Sequence, residues 1–412
     1  MLHYYRFTLV SLACFLLLGC QVAQQALDAT TSLVSPTSLE SIEIRPWERT
    51  PVGSLPQVTQ HAGEVLAITE VSSSPPQLVS AASDGSVIVW DLPSGSGQLL
   101  KKLPSNPQIA AIGATLPLVA YVDGGRVRVS CLAQCKADWS LERLKARAVA
   151  LSFHDKDTSV LIAGADGRVY RWHYELERTA RDDKQRDLAF ERYVAHQTLI
   201  SGVASHPSDR AFFSTDWDGT LIGWLPYSAD DQGGAYDTNL SPGRFFGHVG
   251  TSLRALRKPD RGIASLAVSA DGRRLVLGIE DGYVEVWEVR GFTLAARHQL
   301  HSGRVSSVAI SRDGARIASV GRDSLLTVNE LSPDSSYGVS ATASPFTMQE
   351  LDSETVSGGV SNLLFVSSGN VVFSTKSGQV GELSLKGFTP KPRQVELPLP
   401  APQSPRRVDS DY

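Results

Sequence analysis

The chain has 412 residues, of which 42% are hydrophobic and 20% charged, and its formal net charge at pH 7 is −4. This composition is typical of a soluble globular protein and excludes a disordered or collagen-like chain. The small negative charge provides no general attraction to nucleic acid, and the length allows one large domain or two ordinary ones.

The N-terminus has the features of a secretion signal. Met1–Phe7 contains one arginine, and Thr8–Leu18 is apolar apart from two hydroxyl residues. This run is too short to span a membrane, which takes about 20 apolar residues, so it predicts a signal peptide at residues 1–19. The segment Leu17-Leu18-Gly19-Cys20 resembles the bacterial lipobox. The alternative is an ordinary signal peptide followed by a chance cysteine.

The resemblance to a lipobox implies a lipid anchor. Cys20 would become the acylated first residue of the mature chain, and several acyl chains together give stable anchoring to a membrane. Gln21 follows it where, in the enteric-type sorting rule, only an aspartate retains a lipoprotein in the inner membrane. This implies the outer membrane, with the protein facing the periplasm. Residues 20–50 are rich in Ser, Thr and Ala, and we expect them to form a flexible tether.

The cysteines suggest one disulfide. Besides Cys20 and Cys14, which would leave with the signal, only Cys131 and Cys135 are present. In an exported protein two cysteines so close together predict a disulfide between them. A metal site needs more ligands than this pair offers, so we expect neither a metal nor a cofactor.

The rest of the chain repeats a turn signal about every 40 to 60 residues, the period of propeller blades with some inserted loops. Each copy is a pair of small residues followed by an alternating, β-branched run. Such pairs tolerate the positive φ angles of a tight hairpin. The seven pairs are Asp84-Gly85, Asp123-Gly124, Asp166-Gly167, Asp218-Gly219, Asp281-Gly282, Asp323-Ser324 and Ser377-Gly378.

Two apolar runs precede each turn, for example "EVLAITEV" and "QLVSAAS" before Asp84. Continuous apolar runs bounded by turns predict strands that are buried on both faces. The sequence therefore predicts an all-β fold, a single seven-bladed β-propeller with four-stranded blades over residues 51–386. The charged segment Glu175–Tyr193 is expected to be an insertion with a short helix.

The repeats resemble the WD-repeat family. A tryptophan follows the turn aspartate in four repeats, Trp90-Asp91 keeps the dipeptide that names the family, and a histidine precedes the turn in several. In this family the histidine, the turn aspartate, a strand hydroxyl and the tryptophan form a buried hydrogen-bonded chain. The resemblance gives this structural role to His61, Asp84, Trp90, Asp166, Trp172, His196, Asp218, Trp224, His248, Asp281, Trp287, His301 and Asp323. Val129, Asn329 and Leu383 depart from the pattern, since each stands where the tryptophan would be.

Two segments are candidates for closing the ring. In WD-repeat proteins the strand before the first histidine usually becomes the outer strand of the last blade, and this interpretation assigns that role to Ser54–Gln60. The alternative is Arg393–Leu399, which comes from the C-terminal side. The Pro-rich tail, residues 387–412, is otherwise expected to be disordered or extended.

The sequence favours a binding protein over an enzyme. It contains no phosphate-binding loop, zinc-protease motif or nucleophile elbow. In WD-repeat proteins the residue just before the turn aspartate often lies on the top face, where partners bind. We therefore expect a protein-binding scaffold of the cell envelope, without catalytic activity, that contacts a protein partner through Trp217, Glu280, Arg322 and Lys376. Binding of nucleic acid or of a small-molecule substrate is not expected.

Three alternatives stay open. Acidic residues of several blades could assemble a lactonase-like or hydrolase-like site at the mouth of the channel. The basic run Ser252–Arg261 could bind cell-wall polymer or lipopolysaccharide, or could be an ordinary solvated loop. Trp217 could pack against the insertion Tyr227–Arg244 rather than meet a partner.

Overall fold

The computed structural model describes residues 44–47, 57–73, 76–91, 96–132, 137–194, 196–207, 211–225, 251–255, 261–289, 293–334 and 345–385. The strands in these ranges form seven antiparallel sheets, which we call blades I to VII in chain order. The innermost strand of each blade lies beside the innermost strand of the next, and that of blade VII lies beside that of blade I. The prediction of an all-β, seven-bladed propeller is confirmed.

The first three blades have the following strands. Blade I contains β1 (Gln57–Val58), β2 (Val65–Val71), β3 (Gln77–Ala82), β4 (Ser86–Asp91) and β5 (Ser96–Lys102). Blade II contains β6 (Ala110–Ile112), β7 (Leu118–Asp123), β8 (Arg126–Cys131) and β9 (Asp138–Leu141). Blade III contains β10 (Ala148–His154), β11 (Ser159–Gly164), β12 (Arg168–Trp172) and β13 (Phe190–Val194).

The remaining blades follow in the same order. Blade IV contains β14 (Ile200–Ser205), β15 (Phe212–Asp216), β16 (Leu221–Leu225) and β17 (Thr251–Ala255). Blade V contains β18 (Ile263–Val268), β19 (Arg274–Ile279), β20 (Tyr283–Glu288) and β21 (Thr293–Gln299). Blade VI contains β22 (Val305–Ile310), β23 (Arg316–Gly321), β24 (Leu325–Pro333) and β25 (Phe346–Thr355). Blade VII contains β26 (Val360–Phe365), β27 (Val371–Thr375) and β28 (Val380–Leu383).

The hydrophobic core lies between the blades. Counted outward from the innermost strand of each blade, the second strands include β3, β11, β19 and β23. These four are buried along their whole length, as their continuous apolar runs predict. Their side chains enter clusters that neighbouring blades share. One cluster joins Leu161 and Tyr193 of blade III to Phe212 and Trp224 of blade IV. Each blade therefore buries its apolar surface only because its neighbours are present.

The turns between the second and third strands need a residue in the left-handed conformation. Gly282 has a φ of 91°, and a Cβ atom placed on it would lie 2.0 Å from the carbonyl oxygen of His301. Glycine is therefore required there for both conformation and space. Ser324 takes the equivalent place in blade VI with a φ of 61°, a conformation that is uncommon for a residue with a side chain.

Two short helices interrupt blade III. They are α1 (Tyr174–Thr179) and α2 (Asp183–Ala189), and they lie between β12 and β13. The charged insertion predicted at Glu175–Tyr193 thus begins one residue inside the first helix and ends inside the outer strand of the blade, and it holds two short helices instead of one. Among the helices of the described ranges, none has the length and apolar character to cross a membrane.

The N-terminal strand does not close the ring as expected. Gln57–Val58, part of the predicted closing strand Ser54–Gln60, pairs with β5 and forms a fifth strand of blade I. The assignment of this segment to blade VII is therefore wrong. The other candidate, Arg393–Leu399, lies outside the described residues.

Blade VII meets blade I through side-chain and backbone hydrogen bonds, one of which runs from the His61 backbone N–H to the carbonyl oxygen of Gly378 at 3.0 Å. The Asn362 side-chain amide donates a hydrogen bond to the carbonyl oxygen of Val65 at 2.9 Å. The Ser367 hydroxyl donates to the Glu70 carboxylate at 2.6 Å, and the Ser367 backbone N–H donates to the same group. These contacts join the two ends of the ring without a shared strand.

The predicted tether becomes ordered structure before it reaches Thr50. Trp47 is only 7% exposed and belongs to the cluster between blades I and II. Its indole N–H donates to the carbonyl oxygen of Gly113 at 3.0 Å, and its backbone N–H donates to Thr115. A large aromatic side chain with a polar tip gains from such a site, so residues 44–47 belong to the propeller and the tether boundary at residue 50 is wrong.

We expect Trp47→Ala to lower the free energy of unfolding by about 3–5 kcal/mol, because a buried tryptophan is lost and a cavity remains. Trp217→Ala is the matched control, since Trp217 is half-buried and should change stability by less than about 1 kcal/mol. Urea unfolding followed by circular dichroism measures both. Equal stability of Trp47→Ala and the unmodified chain would contradict this packing.

Candidate interaction site at the turn face

The turns between the second and third strands of all blades lie at one end of the propeller, which we call the turn face. Beneath it, blade IV contains a complete hydrogen-bonded chain. His196 Nε2 lies 2.6 Å from Ser214 Oγ, and the Trp224 indole N–H donates to the same hydroxyl at 2.7 Å. His196 Nδ1 lies 2.8 Å from Asp216 Oδ2. Both histidine nitrogens are thereby satisfied, as a buried polar ring requires.

The aspartate of this chain is Asp216, whereas the sequence pattern indicated Asp218. Asp216 is buried and also accepts hydrogen bonds from the backbone N–H groups of Asp218 and Thr220. Burial raises its pKa, but the hydrogen bonds from His196 and Thr220 hold it below the usual range. Asp218 is exposed. An aspartate at the end of β15 reaches the histidine directly, so the assignment of this structural role to Asp218 is wrong.

Blade I builds the same chain through an extra hydroxyl. His61 Nε2 lies 2.6 Å from Ser80 Oγ, which also accepts from the Trp90 indole. His61 Nδ1 lies 2.6 Å from Ser86 Oγ, which donates to Asp84. Burial lowers the pKa of His61 to about 4, with Asp84 acting in the opposite direction. The histidine is therefore neutral at pH 7.

Blade VI replaces the tryptophan with an asparagine. His301 Nε2 lies 2.8 Å from Ser319 Oγ, and His301 Nδ1 lies 3.1 Å from Asp323 Oδ1. Ser319 contacts the Thr327 hydroxyl at 3.1 Å, and the Asn329 amide donates to Thr327. Burial lowers the pKa of His301. Asn329 thus supplies a donor where the indole N–H would be.

Blades III and V use their tryptophans differently. The Trp172 indole donates to Glu177 of α1 at 2.5 Å, while Asp166 accepts from the Tyr170 hydroxyl at 2.7 Å. The structure therefore does not bring Trp172 and Asp166 into one chain.

In blade V the Trp287 indole donates to Glu285 at 3.0 Å. Asp281 instead lies 3.8 Å from the Arg261 guanidinium. His248, to which the resemblance gave a structural role here, lies outside the described residues.

One backbone hydrogen bond recurs at the turn face of every blade. The residue just before the turn donates its N–H to the carbonyl oxygen of the residue just before the first strand. The seven donors, in chain order, are Ser83, Val122, Ala165, Trp217, Glu280, Arg322 and Lys376, and the acceptors are Glu64, Ile109, Arg147, Leu199, Gly262, Arg304 and Gly359. This repetition places all four predicted partner-binding residues at equivalent positions of four consecutive blades.

Arg304 brings three of these residues together. Its guanidinium carbon lies 4.5 Å from the centre of the Trp217 ring, a cation–π contact. Burial lowers the pKa of Arg304, the nearby Arg322 lowers it further, and Glu280 opposes both effects. Trp217, Glu280, Arg304 and Arg322 therefore form one group, which we call the turn-face cluster.

Gly262 makes room for the cluster. A Cβ atom at this position would lie 2.8 Å from Glu280 Oε2 and 2.6 Å from the carbonyl oxygen of Trp217. Lys376 occupies the same turn position in the neighbouring blade VII and is exposed. The cluster thus consists of a half-buried ring and guanidinium, an exposed acid and an exposed arginine.

Arg304 and Leu199 were not among the residues that the sequence pattern indicated. Both follow the structural histidine of their blade by three residues, as Glu64 follows His61. Leu199 is 39% exposed beside Trp217. The constant offset of three residues from the histidine was the signal that could have found them. It marks the residue whose carbonyl oxygen accepts the backbone hydrogen bond from the turn.

Other predicted sites are described only in part. The beginning of the basic run Ser252–Arg261 is the outer strand β17, and Arg257 and Lys258 lie outside the described residues. Cys131 is disulfide-bonded, but Cys135 lies outside the described residues, so their pairing stays a prediction, as does the acylation of Cys20. In the ranges that the structure describes, no group of three or more His, Cys, Asp or Glu residues could hold a metal ion.

Comparison with known proteins supports the repeat assignment. Residues 50–91, 190–224 and 293–329 match the family described as "WD domain, G-beta repeat". These segments contain the three complete histidine chains, those of blades I, IV and VI. The chain is therefore a seven-bladed propeller in which three segments match this repeat.

Two plant relatives match part of the chain. The U3 snoRNP-associated protein-like EMB2271 of Arabidopsis thaliana is 27% identical over 155 residues, which is 35% of this chain and 30% of the relative. The U3 snoRNP-associated protein-like YAO of the same plant is 34% identical over 104 residues, 24% of this chain and 20% of the relative. The matched region thus spans less than a third of either relative.

Solved structures share the fold. A crystal structure of RRP9 WD40 repeats has a TM-score of 0.56 at 16% identity and covers 82% of this chain and 94% of that one. A structure of U3-55K has a TM-score of 0.56 at 15% identity and covers 79% and 92%. At this identity the likeness shows the fold alone.

These comparisons correct the predicted localisation. The curated relatives come from a plant and are named for association with the U3 snoRNP, a setting that a bacterial outer membrane does not provide. The expectation of an outer-membrane protein facing the periplasm, which depended on the lipobox resemblance of Leu17–Cys20 and on Gln21, is therefore wrong.

We expect Asp216→Ala to lower the free energy of unfolding by at least about 1–3 kcal/mol, because it leaves buried hydrogen-bond donors without an acceptor. Asp218→Ala, two residues away and exposed, should change it by less than about 0.5 kcal/mol. Denaturant unfolding of the two variants side by side measures this difference. A larger effect for Asp218→Ala would restore the original assignment.

We expect stability to fall as the pH decreases from 6.5 to about 4. The unfolded chain binds a proton at His61 below its ordinary pKa of about 6.5, whereas the folded chain does so only near pH 4, so acid favours unfolding. The loss attributable to His61 is on the order of 3 kcal/mol. Urea unfolding at several pH values should show a shallower pH dependence for His61→Gln, and an unchanged dependence would contradict this account.

Proposed function

We propose that this chain is a non-catalytic scaffold that binds a protein partner at the turn-face cluster. The observation that carries this proposal is the stacking of Arg304 on Trp217, with Glu280 and Arg322 beside it. Partly exposed tryptophan and arginine residues are the side chains that contribute most to binding energy at protein interfaces. A stacked guanidinium also loses less side-chain freedom when a partner binds, because it is already positioned.

The charges at this site favour an acidic partner segment. Among the residues just before the turns and just before the first strands of blades V to VII, Arg304, Arg322 and Lys376 outnumber the one acid, Glu280. The turn carboxylates Asp281 and Asp323 lie against Arg261 and His301. Leu199 and Trp217 offer exposed apolar surface beside them. A segment that carries a carboxylate next to an aromatic or aliphatic side chain would satisfy both features. Its carboxylate would meet the exposed Arg322, and its apolar group would pack on the edge of the Trp217 ring.

The names of the plant relatives suggest where such a partner occurs. Both relatives are named as associated with the U3 snoRNP, so the proposed partner is a protein component of a ribonucleoprotein particle. The net charge of −4 favours contact with protein rather than with nucleic acid. The proposed scaffold needs no cofactor and no small-molecule substrate.

We expect Trp217→Ala and Arg322→Glu each to weaken binding of the partner by at least about 30-fold, the loss typical of an interface hot spot. Crosslinked pull-down followed by mass spectrometry identifies the partner, and titration of the purified pair measures the affinity.

Arg312→Glu is the matched control. It makes the same charge change in the same blade, but Arg312 lies at the opposite end of β23 from Arg322 and is exposed. It should alter the affinity by less than about twofold. A partner that binds equally well to both turn-face variants would place the binding site elsewhere and overturn this proposal.

A further inference from the structure

The turn-face cluster holds two arginines side by side. The backbone N–H of Arg322 donates to the carbonyl oxygen of Arg304 at 2.9 Å, so the two side chains leave the backbone at neighbouring points. Arg304 is half-buried and lies on the Trp217 ring, while Arg322 is exposed. Two like charges held this close repel each other, and an anion that contacts both relieves the repulsion.

The hydrogen-bond donors of these arginines are available to a ligand. In the part of the chain that the structure describes, neither guanidinium forms an ion pair or donates a hydrogen bond. The Arg304 side chain contacts the face of the Trp217 ring, which leaves its five N–H donors without an acceptor. Lys376 is exposed at the same turn position of the next blade and adds a third cation.

The carboxylates near the arginines are held by other groups. Glu280 Oε2 lies over Gly262, because a Cβ atom at Gly262 would be 2.8 Å from it. Asp323 accepts a hydrogen bond from the backbone N–H of Ser302 at 3.0 Å and lies 3.1 Å from His301 Nδ1. Neither carboxylate bridges the two guanidinium groups, so the acceptor must come from outside the described residues.

We propose that this acceptor is a phosphorylated side chain of the partner protein, so that phosphorylation of the partner controls its binding. The inference rests on the proposed function and specifies the partner segment. A carboxylate has two oxygens, which a single guanidinium fork already occupies. A phosphoryl group has three oxygens and carries about two negative charges at pH 7, so it can accept from Arg304 and Arg322 at once.

The surrounding side chains orient such a segment. Glu280 repels a phosphoryl group from the blade V side, and Lys376 attracts it toward blade VII. An apolar side chain next to the phosphorylated residue then packs toward blade IV, on Trp217 and Leu199. A long polyanion such as nucleic acid fits less well, because the carboxylates of Glu280 and Asp323 beside the arginines would repel its further phosphates.

Two small anions with the same aromatic ring test the proposal on the full chain. Phenyl phosphate is a dianionic monoester at neutral pH, and benzoate is a carboxylate. Labelling with 5-fluorotryptophan gives a fluorine signal for each of the seven tryptophans, and Trp217→Phe identifies that of Trp217. Both anions should shift this signal, and phenyl phosphate should bind at least about tenfold more tightly. Arg322→Gln should abolish the difference, and Arg322→Lys should recover only part of it, because lysine restores the charge without the fork.

Arg312→Gln is the matched control and should leave both affinities within about twofold. Equal affinity for the two anions would overturn the proposal, as would a preference that survives in Arg322→Gln or the absence of any shift at millimolar concentration. Methyl phenyl phosphate, a monoanionic diester, should bind no better than benzoate. If it instead matches phenyl phosphate, the site recognises the phosphodiester of a nucleic acid, and the proposal is wrong.

The protein-binding site and its preference for phosphate fail separately. If the purified partner loses affinity for Trp217→Ala and Arg322→Glu but phosphatase treatment of the partner changes nothing, the scaffold site stands and the phosphoryl preference is wrong. If the partner binds both variants as tightly as the unmodified chain, the scaffold site itself is wrong, whatever the small anions do.

Discussion

A buried histidine that hydrogen-bonds through both ring nitrogens organises the turn face in blades I, IV and VI. One nitrogen meets a serine of the second strand, and the other meets the carboxylate of the turn or a hydroxyl bound to it. The ring thereby ties the loop that enters the blade to the turn that follows two strands later. Because each of these polar groups is buried, an unmade bond would leave a desolvated partner, so the chain holds its geometry as a unit.

This constraint positions the proposed binding residues. Arg304 follows His301 by three residues, and Arg322 precedes Asp323, so one histidine chain fixes the backbone on both sides of the arginine pair. The backbone bond from Arg322 to Arg304 at 2.9 Å completes the link. Trp217 is held in the same way by the chain of blade IV. The cation–π contact between the blades therefore depends on two rigid frameworks rather than on mobile loops.

The ring is closed by contacts between blades I and VII other than the hydrogen bonds of the histidine side chains. The cores lie between blades, so an open ring would expose the apolar faces of blades I and VII. Asn362 and Glu70 join these two blades by polar contacts. The N-terminal strand pairs with β5 of blade I, and its Val58 packs against a hydrophobic cluster that blades I and VII share. Trp47 ties an earlier part of the chain to blade II through its bond to Gly113.

The sequence by itself determined the repeat, the strands and the turns, because strand periodicity and turn chemistry are local properties that neighbouring residues carry. It also determined the equivalent turn positions of Trp217, Glu280 and Arg322, since their offset from the turn is constant. Tertiary structure alone decided that Asp216 rather than Asp218 meets His196, that Trp172 turns to Glu177, that Arg304 stacks on Trp217 and that Gln57–Val58 pairs with β5. Each of these contacts joins residues from different structural elements. Which partner a side chain meets is decided by its reach and packing in space, and a rule based on spacing along the sequence contains neither.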